Sequence, residues 1–166
     1  MRKLIPKIYQ IVALLLLLGC SIGASTLGKS SKNTLTKKER NELIEFASSM
    51  LNTPYRYGGR DKKGFDCSGF SHYVFKSQGI ELPVISEAQA KIGKEIPVED
   101  VEPGDIIYFR RSSVGRIFHV SIVYSNDKDG IKVIHSTTQQ GVIIDNISQS
   151  TYWKSMVKGA RNILGN

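Results

Sequence analysis

Cys67 lies in the stretch Gly64-Phe65-Asp66-Cys67-Ser68-Gly69-Phe70, directly ahead of a helical pattern that continues through Val74. An aspartate able to cap a helix, with a cysteine in the first turn, brings sulfur to free backbone N–H groups and the positive end of the helix dipole. Both favour a thiolate, and hence a nucleophile. The competing reading is a small buried hydrophobe, a common fate of free cysteine. A cysteine nucleophile needs a base, and imidazole suits that role near neutral pH. Two of the chain's 3 histidines, His119 and His135, fall at opposite ends of a predicted hairpin. Facing residues of an antiparallel pair have numbers of constant sum, so a loop over 125–129 makes His119 oppose His135, whereas a loop one residue shorter separates them. In that register the shared face also carries Ser121, Val123, Ile131 and Val133, and the Cys67 helix could pack there. His119 is then the base, and His135 would fix its tautomer and orientation. His72 follows Cys67 on the same helix at about 140° around the axis, and is expected to face elsewhere. Zinc is an open alternative for Cys67, His119 and His135, but there is no His-x-x-x-His or Cys-x-x-Cys pair. No metal and no cofactor is expected.

These residues need elements to hold them. Thr36-Lys37-Lys38-Glu39 has capping-box spacing, and Leu43, Phe46, Ala47, Met50 and Leu51 recur at helical intervals until Asn52-Thr53-Pro54. Gly58-Gly59 and Lys62-Lys63-Gly64 mark a loop, after which Cys67 opens a second helix ending near Gly79. A short third helix is predicted over 86–92. Strands follow: 106–109 after the turn Glu102-Pro103-Gly104-Asp105, then 119–124, 131–135, 142–144 and 156–164. Helices first and sheet afterwards imply an α+β fold around a central antiparallel sheet, with the nucleophile at a helix N-terminus. There is no internal repeat and no second domain in the pattern.

The chain has 166 residues, room for one core. It begins Met1-Arg2-Lys3-Leu4-Ile5-Pro6-Lys7 and runs apolar from Ile8 to Leu18, the charged and hydrophobic regions of a secretory signal, and is shorter than the ~20 apolar residues of a membrane span. Leu17-Leu18-Gly19-Cys20 resembles the lipobox of bacterial lipoproteins, which implies cleavage before Cys20 and lipidation on it. An ordinary signal cut after Ala24 is the alternative. The expected organisation is a signal over 1–19, a Ser/Lys/Gly/Asn/Thr-rich tether over 20–36, and one catalytic domain over 37–166. Lipidated Cys20 would anchor the protein in the cell envelope, at the outer membrane facing the periplasm in a Gram-negative cell. It would also leave Cys67 without a disulfide partner. The net charge is +8, from 23 Lys and Arg against 15 Asp and Glu, and stays positive without the leader. That favours anionic polymers, while the lack of a Lys/Arg run argues against nucleic acid. A monomer is expected.

From Asn41 to Leu164 the chain resembles the NlpC-type cell-wall peptidases, papain-like cysteine hydrolases of bacterial envelopes. The resemblance rests on Thr53-Pro54-Tyr55-Arg56-Tyr57-Gly58-Gly59, Phe65-Asp66-Cys67-Ser68-Gly69-Phe70, Pro103-Gly104-Asp105, His119-Val120-Ser121-Ile122, Ile134-His135-Ser136 with Gly141-Val142, and Tyr152-Trp153, in family order and spacing. It implies a Cys67–His119–His135 triad, with Tyr55 lining the site and Asp66 and Ser68 beside the nucleophile where many members receive the substrate's amino end. Two departures stand out: Val84 where many members have arginine, and Ser121 where glycine often occurs. The implied activity is hydrolysis of amide bonds in peptidoglycan stem peptides, commonly the γ-D-glutamyl-diaminopimelate bond or a D-alanyl-diaminopimelate crosslink. The rivals are a catalytically silent envelope lipoprotein that binds wall peptides, and an acyltransferase using the same thioester chemistry.

Overall fold

Thr36 caps the first helix as its spacing predicts. Its Oγ1 accepts the Glu39 N–H at 3.3 Å, and Glu39 Oε2 accepts the Thr36 N–H at 2.7 Å, giving α1 (Lys37–Ser48). The computed structural model describes residues 36–165, so the leader, Cys20 and the tether up to residue 35 lie outside the described residues. Among the described residues no helix is long and apolar enough to cross a membrane.

The expected loop before Cys67 instead contains a tiny hairpin, β1 (Arg60–Asp61) paired antiparallel with β2 (Gly64–Phe65). Two-residue strands are too short to display an alternating pattern. Asp66 caps α2 (Cys67–Lys76), accepting the Gly69 N–H at 2.6 Å, and the chain leaves the helix through Gly79 at φ +75°. Gly69 sits so close to this loop that a Cβ would overlap the Gly59 carbonyl oxygen. α3 (Ser86–Gln89) is shorter than expected, because Lys91 and Ile92 donate to carbonyls only three residues back.

Six strands form one antiparallel sheet in the order β3-β8-β4-β5-β6-β7, comprising β3 (Lys94–Ile96), β4 (Ile106–Phe109), β5 (His119–Asp127), β6 (Gly130–Thr137), β7 (Gly141–Asn146) and β8 (Val157–Asn162). A single 3-10 turn covers Val98–Asp100, and α4 (Thr151–Lys154) precedes β8. The architecture is the predicted α+β arrangement. β3, the 3-10 turn and α4 have no counterpart in the sequence reading, because each is short and mostly exposed.

Each face of the sheet is buried. Ile106, Tyr108, Val120, Ile122 and Ile134 pack with Leu43 and Ala47 of α1 and Phe70, Val74 and Phe75 of α2. Ile107, Phe109, Val123 and Val133 face the other way and pack with Val101, Ile147, Met156 and Trp153. The expected placement of α2 on the Val123 and Val133 face is therefore corrected: it covers the opposite side. Both sets of residues are apolar, so alternation could not separate the faces.

The β5–β6 register also differs from expectation. The turn is tight, with Asp127 opposite Gly130, and a bulge at Tyr124 shifts the pairing to Val123↔Val133 and Ile122↔Ile134. An even-length turn alone would put His119 and His135 on opposite faces. The extra residue of the bulge restores the parity and brings both to the Val123 and Val133 side.

Candidate active site

Tyr55 bridges to Phe65 in parallel, and the Arg56 N–H and Pro54 carbonyl bond the same residue at 3.0 and 3.1 Å. This places Tyr55 beside the start of α2. Phe65 is also tied to β6, because buried Ser136 donates to its carbonyl at 2.7 Å. The helix that Cys67 opens and the strand that carries His135 are thus tied together through Phe65.

Cys67, His119, Tyr55, Asp145 and Trp153 line one cavity of about 860 Å³. His119 Nε2 lies 2.9 Å from His135 Nδ1, and both rings are buried, at 7% and 0% exposure. Asp145 is diagonal to His135 across β6 and β7, since His135 pairs with Ile143 and Val133 with Asp145. Its Oδ2 is 3.6 Å from His135 Nε2, slightly beyond hydrogen-bond length, and His135 Nε2 has no other partner. The same Oδ2 accepts the Trp153 indole N–H at 2.9 Å. Trp153 packs over both imidazoles, with ring centroids 4.8 Å from His119 and 5.0 Å from His135.

The proton positions follow from this chain of contacts. An ionised Asp145 can only accept, so His135 carries its proton on Nε2. His135 Nδ1 then accepts from His119 Nε2–H, which leaves His119 Nδ1 with a lone pair, able to act as a base. Asp145 is held below the usual carboxylate range, first by its interaction with His135. Burial, reinforced by His135, keeps His119 well below the usual imidazole value, so it is neutral at pH 7.

Cys67 departs from the thiolate expected of a helix N-terminus. The N–H groups of Val120, Ser68 and Cys67 itself pull its pKa down, but burial is the larger effect and, with Asp66, pushes the thiol up to about 11. The resting pair is a thiol and a neutral imidazole, so an attack by this sulfur would require its proton to leave as the new bond forms. Tyr55 is also raised, by burial first and then by Cys67 and Asp66, and stays a phenol able to donate.

Asp66 and Ser68 stand outside the cavity lining. Asp66 accepts from Gly69 and Ser68 through Oδ1 and from the Gly58 N–H through Oδ2 at 2.9 Å, and Ser68 Oγ also lies 3.0 Å from the Val84 carbonyl. Their contacts build the helix cap and its loop. His72 donates to the Leu82 carbonyl at 2.6 Å, away from the site. Among the described residues no group of three or more His, Cys, Asp or Glu could hold a metal ion. Sequence reasoning missed Asp145, one residue beyond a predicted strand, although counting in twos from Ile143 puts it on the His135 face.

The profile of the NlpC/P60 family matches residues 52–162, two thirds of the chain and the whole site. The chain belongs to the NlpC/P60 family. It is 40% identical over 126 residues to the murein DD-endopeptidase MepS/murein LD-carboxypeptidase of Escherichia coli strain K12, covering 75% of this chain and 63% of that protein. It is 38% identical over 123 residues to the gamma-DL-glutamyl hydrolase of Bacillus subtilis strain 168, covering 73% of this chain and 29% of that protein. The crystal structure of an NlpC/P60 family protein from Bacillus cereus superimposes with a TM-score of 0.69 at 32% identity, over 75% of this chain and 40% of that one. The chain thus spans less than two thirds of the length of these curated relatives.

Proposed function

We propose that this NlpC/P60 protein is a cysteine peptidase that hydrolyses amide bonds in peptidoglycan stem peptides. The observation that carries the reading is a helix-start thiol sharing a cavity with a buried imidazole whose far nitrogen is held at 2.9 Å by a second imidazole. The names of its relatives, a murein endopeptidase and a γ-glutamyl hydrolase, support a wall substrate.

Cys67 is the nucleophile, His119 the general base and then acid, and His135 the group that orients it. As Sγ bonds to the amide carbonyl carbon, its proton passes to His119 Nδ1. The C–N bond then breaks, and His119 delivers that proton to the leaving amine. Water attacks the resulting thioester, giving its proton to His119, and the acid product departs as the thiol reforms. The Cys67 N–H and the Tyr55 hydroxyl are the donors we assign to the oxyanion. Asp145 acts through His135 as a positioning residue. Lipidation at Cys20 and residence in the envelope would hold the enzyme beside the wall.

The test is product analysis. Purified protein is incubated with a defined stem tetrapeptide and a crosslinked dimer, and the fragments are identified by mass spectrometry. A new diaminopimelate amine with a free D-glutamate γ-carboxyl names the stem bond, and one with a free D-alanine carboxyl names the crosslink. Peptide bound but unchanged would favour the silent lipoprotein, and products carrying a new acyl acceptor would favour transfer.

A further inference from the structure

The segment between β4 and β5 carries Arg110, Arg111 and Arg116, and all three line the cavity that holds Cys67 and His119. Among the described residues no carboxylate lies within 4 Å of any of the three. Arg110 donates from Nη1 to the Ser113 carbonyl at 3.1 Å, while its Nε is buried without a partner. Arg111 stacks on Phe118 at 4.7 Å, which supports the guanidinium plane and leaves its edge free. Arg116 is felt by Glu87, but Glu87 is already engaged by the Ile117 N–H at 2.7 Å and Lys91 at 3.5 Å. The one acidic residue lining the cavity, Asp145, is engaged by Trp153 and faces His135. Three cations against one occupied anion leave the cavity with unmatched positive charge.

The base of the segment is fixed. Ile117 is held by Glu87 and by Ser86, whose Oγ donates to its carbonyl at 3.1 Å, and Phe118 donates to the Phe109 carbonyl at 3.1 Å. Phe109 pairs with His119, so the arginines flank the residue that hands a proton to the leaving amine. They therefore border the leaving-group side of the scissile bond.

We propose that Arg110, Arg111 and Arg116 form a subsite for a free carboxylate on the leaving-group residue. Resting on the peptidase reading above, this makes diaminopimelate the preferred leaving residue. In either candidate bond its departing amine belongs to a residue that keeps a free carboxylate when the stem continues beyond it, whereas lysine at that place keeps none. Guanidinium edges match a carboxylate in paired, charge-assisted hydrogen bonds.

The experiment measures affinity separately from turnover. The full chain carrying Cys67→Ala is titrated with the stem tetrapeptide, in which D-alanine caps the α-carboxyl of diaminopimelate, and with the same peptide bearing that residue's distal carboxylate as an amide. The free carboxylate should bind at least about tenfold tighter, as expected of a charge-assisted contact, and the ratio should shrink at high salt. Adding Arg111→Gln and Arg116→Gln, both at exposed positions, should bring the ratio towards one, with Arg111→Lys and Arg116→Lys restoring part of it. Equal affinity for the two peptides, or a ratio unchanged by the glutamine pair, overturns the subsite. Failure of the unmodified chain to cleave these peptides and a crosslinked dimer alike would reject the peptidase reading instead, and the affinity ratio would still decide the subsite.

Discussion

Replacing Asp145 with alanine tests the proton arrangement of the whole site. Asp145 Oδ2 lies 3.6 Å from His135 Nε2 and is the acceptor that favours the Nε2–H tautomer of His135. Without it, His135 can carry its proton on Nδ1 and donate to His119 Nε2, which moves the His119 proton to Nδ1, the nitrogen that should receive one from Cys67. A hydrogen bond to a charged group contributes about 1.5–3 kcal/mol. The long contact and the 35% exposure of Asp145 reduce this to roughly 1–2 kcal/mol, so the competent tautomer becomes about 5- to 30-fold rarer. kcat should fall by that factor with KM little changed. Asp145→Asn should lose less, because an amide oxygen in the same place can still accept from His135 and Trp153. The assay is steady-state hydrolysis of a defined stem peptide, with thermal denaturation to verify folding and nitrogen NMR shifts of His119 to read the tautomer. A folded Asp145→Ala protein with unchanged kcat and unchanged His119 shifts refutes the reasoning.

Other expectations follow from groups already described. Because His119 is neutral at pH 7 and titrates well below 6.5, kcat/KM should hold through pH 6.5 and fall only at lower pH as His119 gains a proton. An acid limb at or above 6.5 would contradict its burial. Alkylation of Cys67 by iodoacetamide should keep accelerating up to about pH 11 as the thiolate fraction grows, and a plateau from neutral pH would mean a preformed thiolate. Arg40→Ala strands Asp105, which is 1% exposed, 3.1 Å from Arg40 Nη1, and otherwise bonded by the Glu102 N–H at 2.9 Å; the loss should be about 3–5 kcal/mol in urea denaturation at pH 7. Burial raises the folded-state pKa of Asp105, and more so without Arg40, so the variant's deficit should shrink as pH falls through the carboxylate range. Gly69→Ala forces a methyl against the Gly59 carbonyl that accepts the Asp66 N–H, and should lower stability by about 1–3 kcal/mol and disturb the nucleophile's cap.

What the sequence could tell follows from how local each signal is. The α1 capping box, the Asp66 cap and the order of Cys67, His119 and His135 are written in neighbouring residues, and the structure brings the three chemical residues to one site. The meeting of the two histidines depends on a bulge at Tyr124, where two registers differ by one residue and nothing in the local composition chooses between them. Which face α2 covers was equally illegible, since β4, β5 and β6 are apolar on both sides. Asp145 and Trp153 acquire their places only through strand pairing and the short α4, and the arginines of the β4–β5 segment become a group only when the cavity brings them around His119.

The most direct measurement compares the purified full-length protein with its Cys67→Ala variant on peptidoglycan and on soluble stem peptides, with products read by mass spectrometry and folding by circular dichroism. The account predicts amide cleavage by the unmodified protein and none by a variant that folds equally well. Cleavage that survives the loss of the thiol would contradict it.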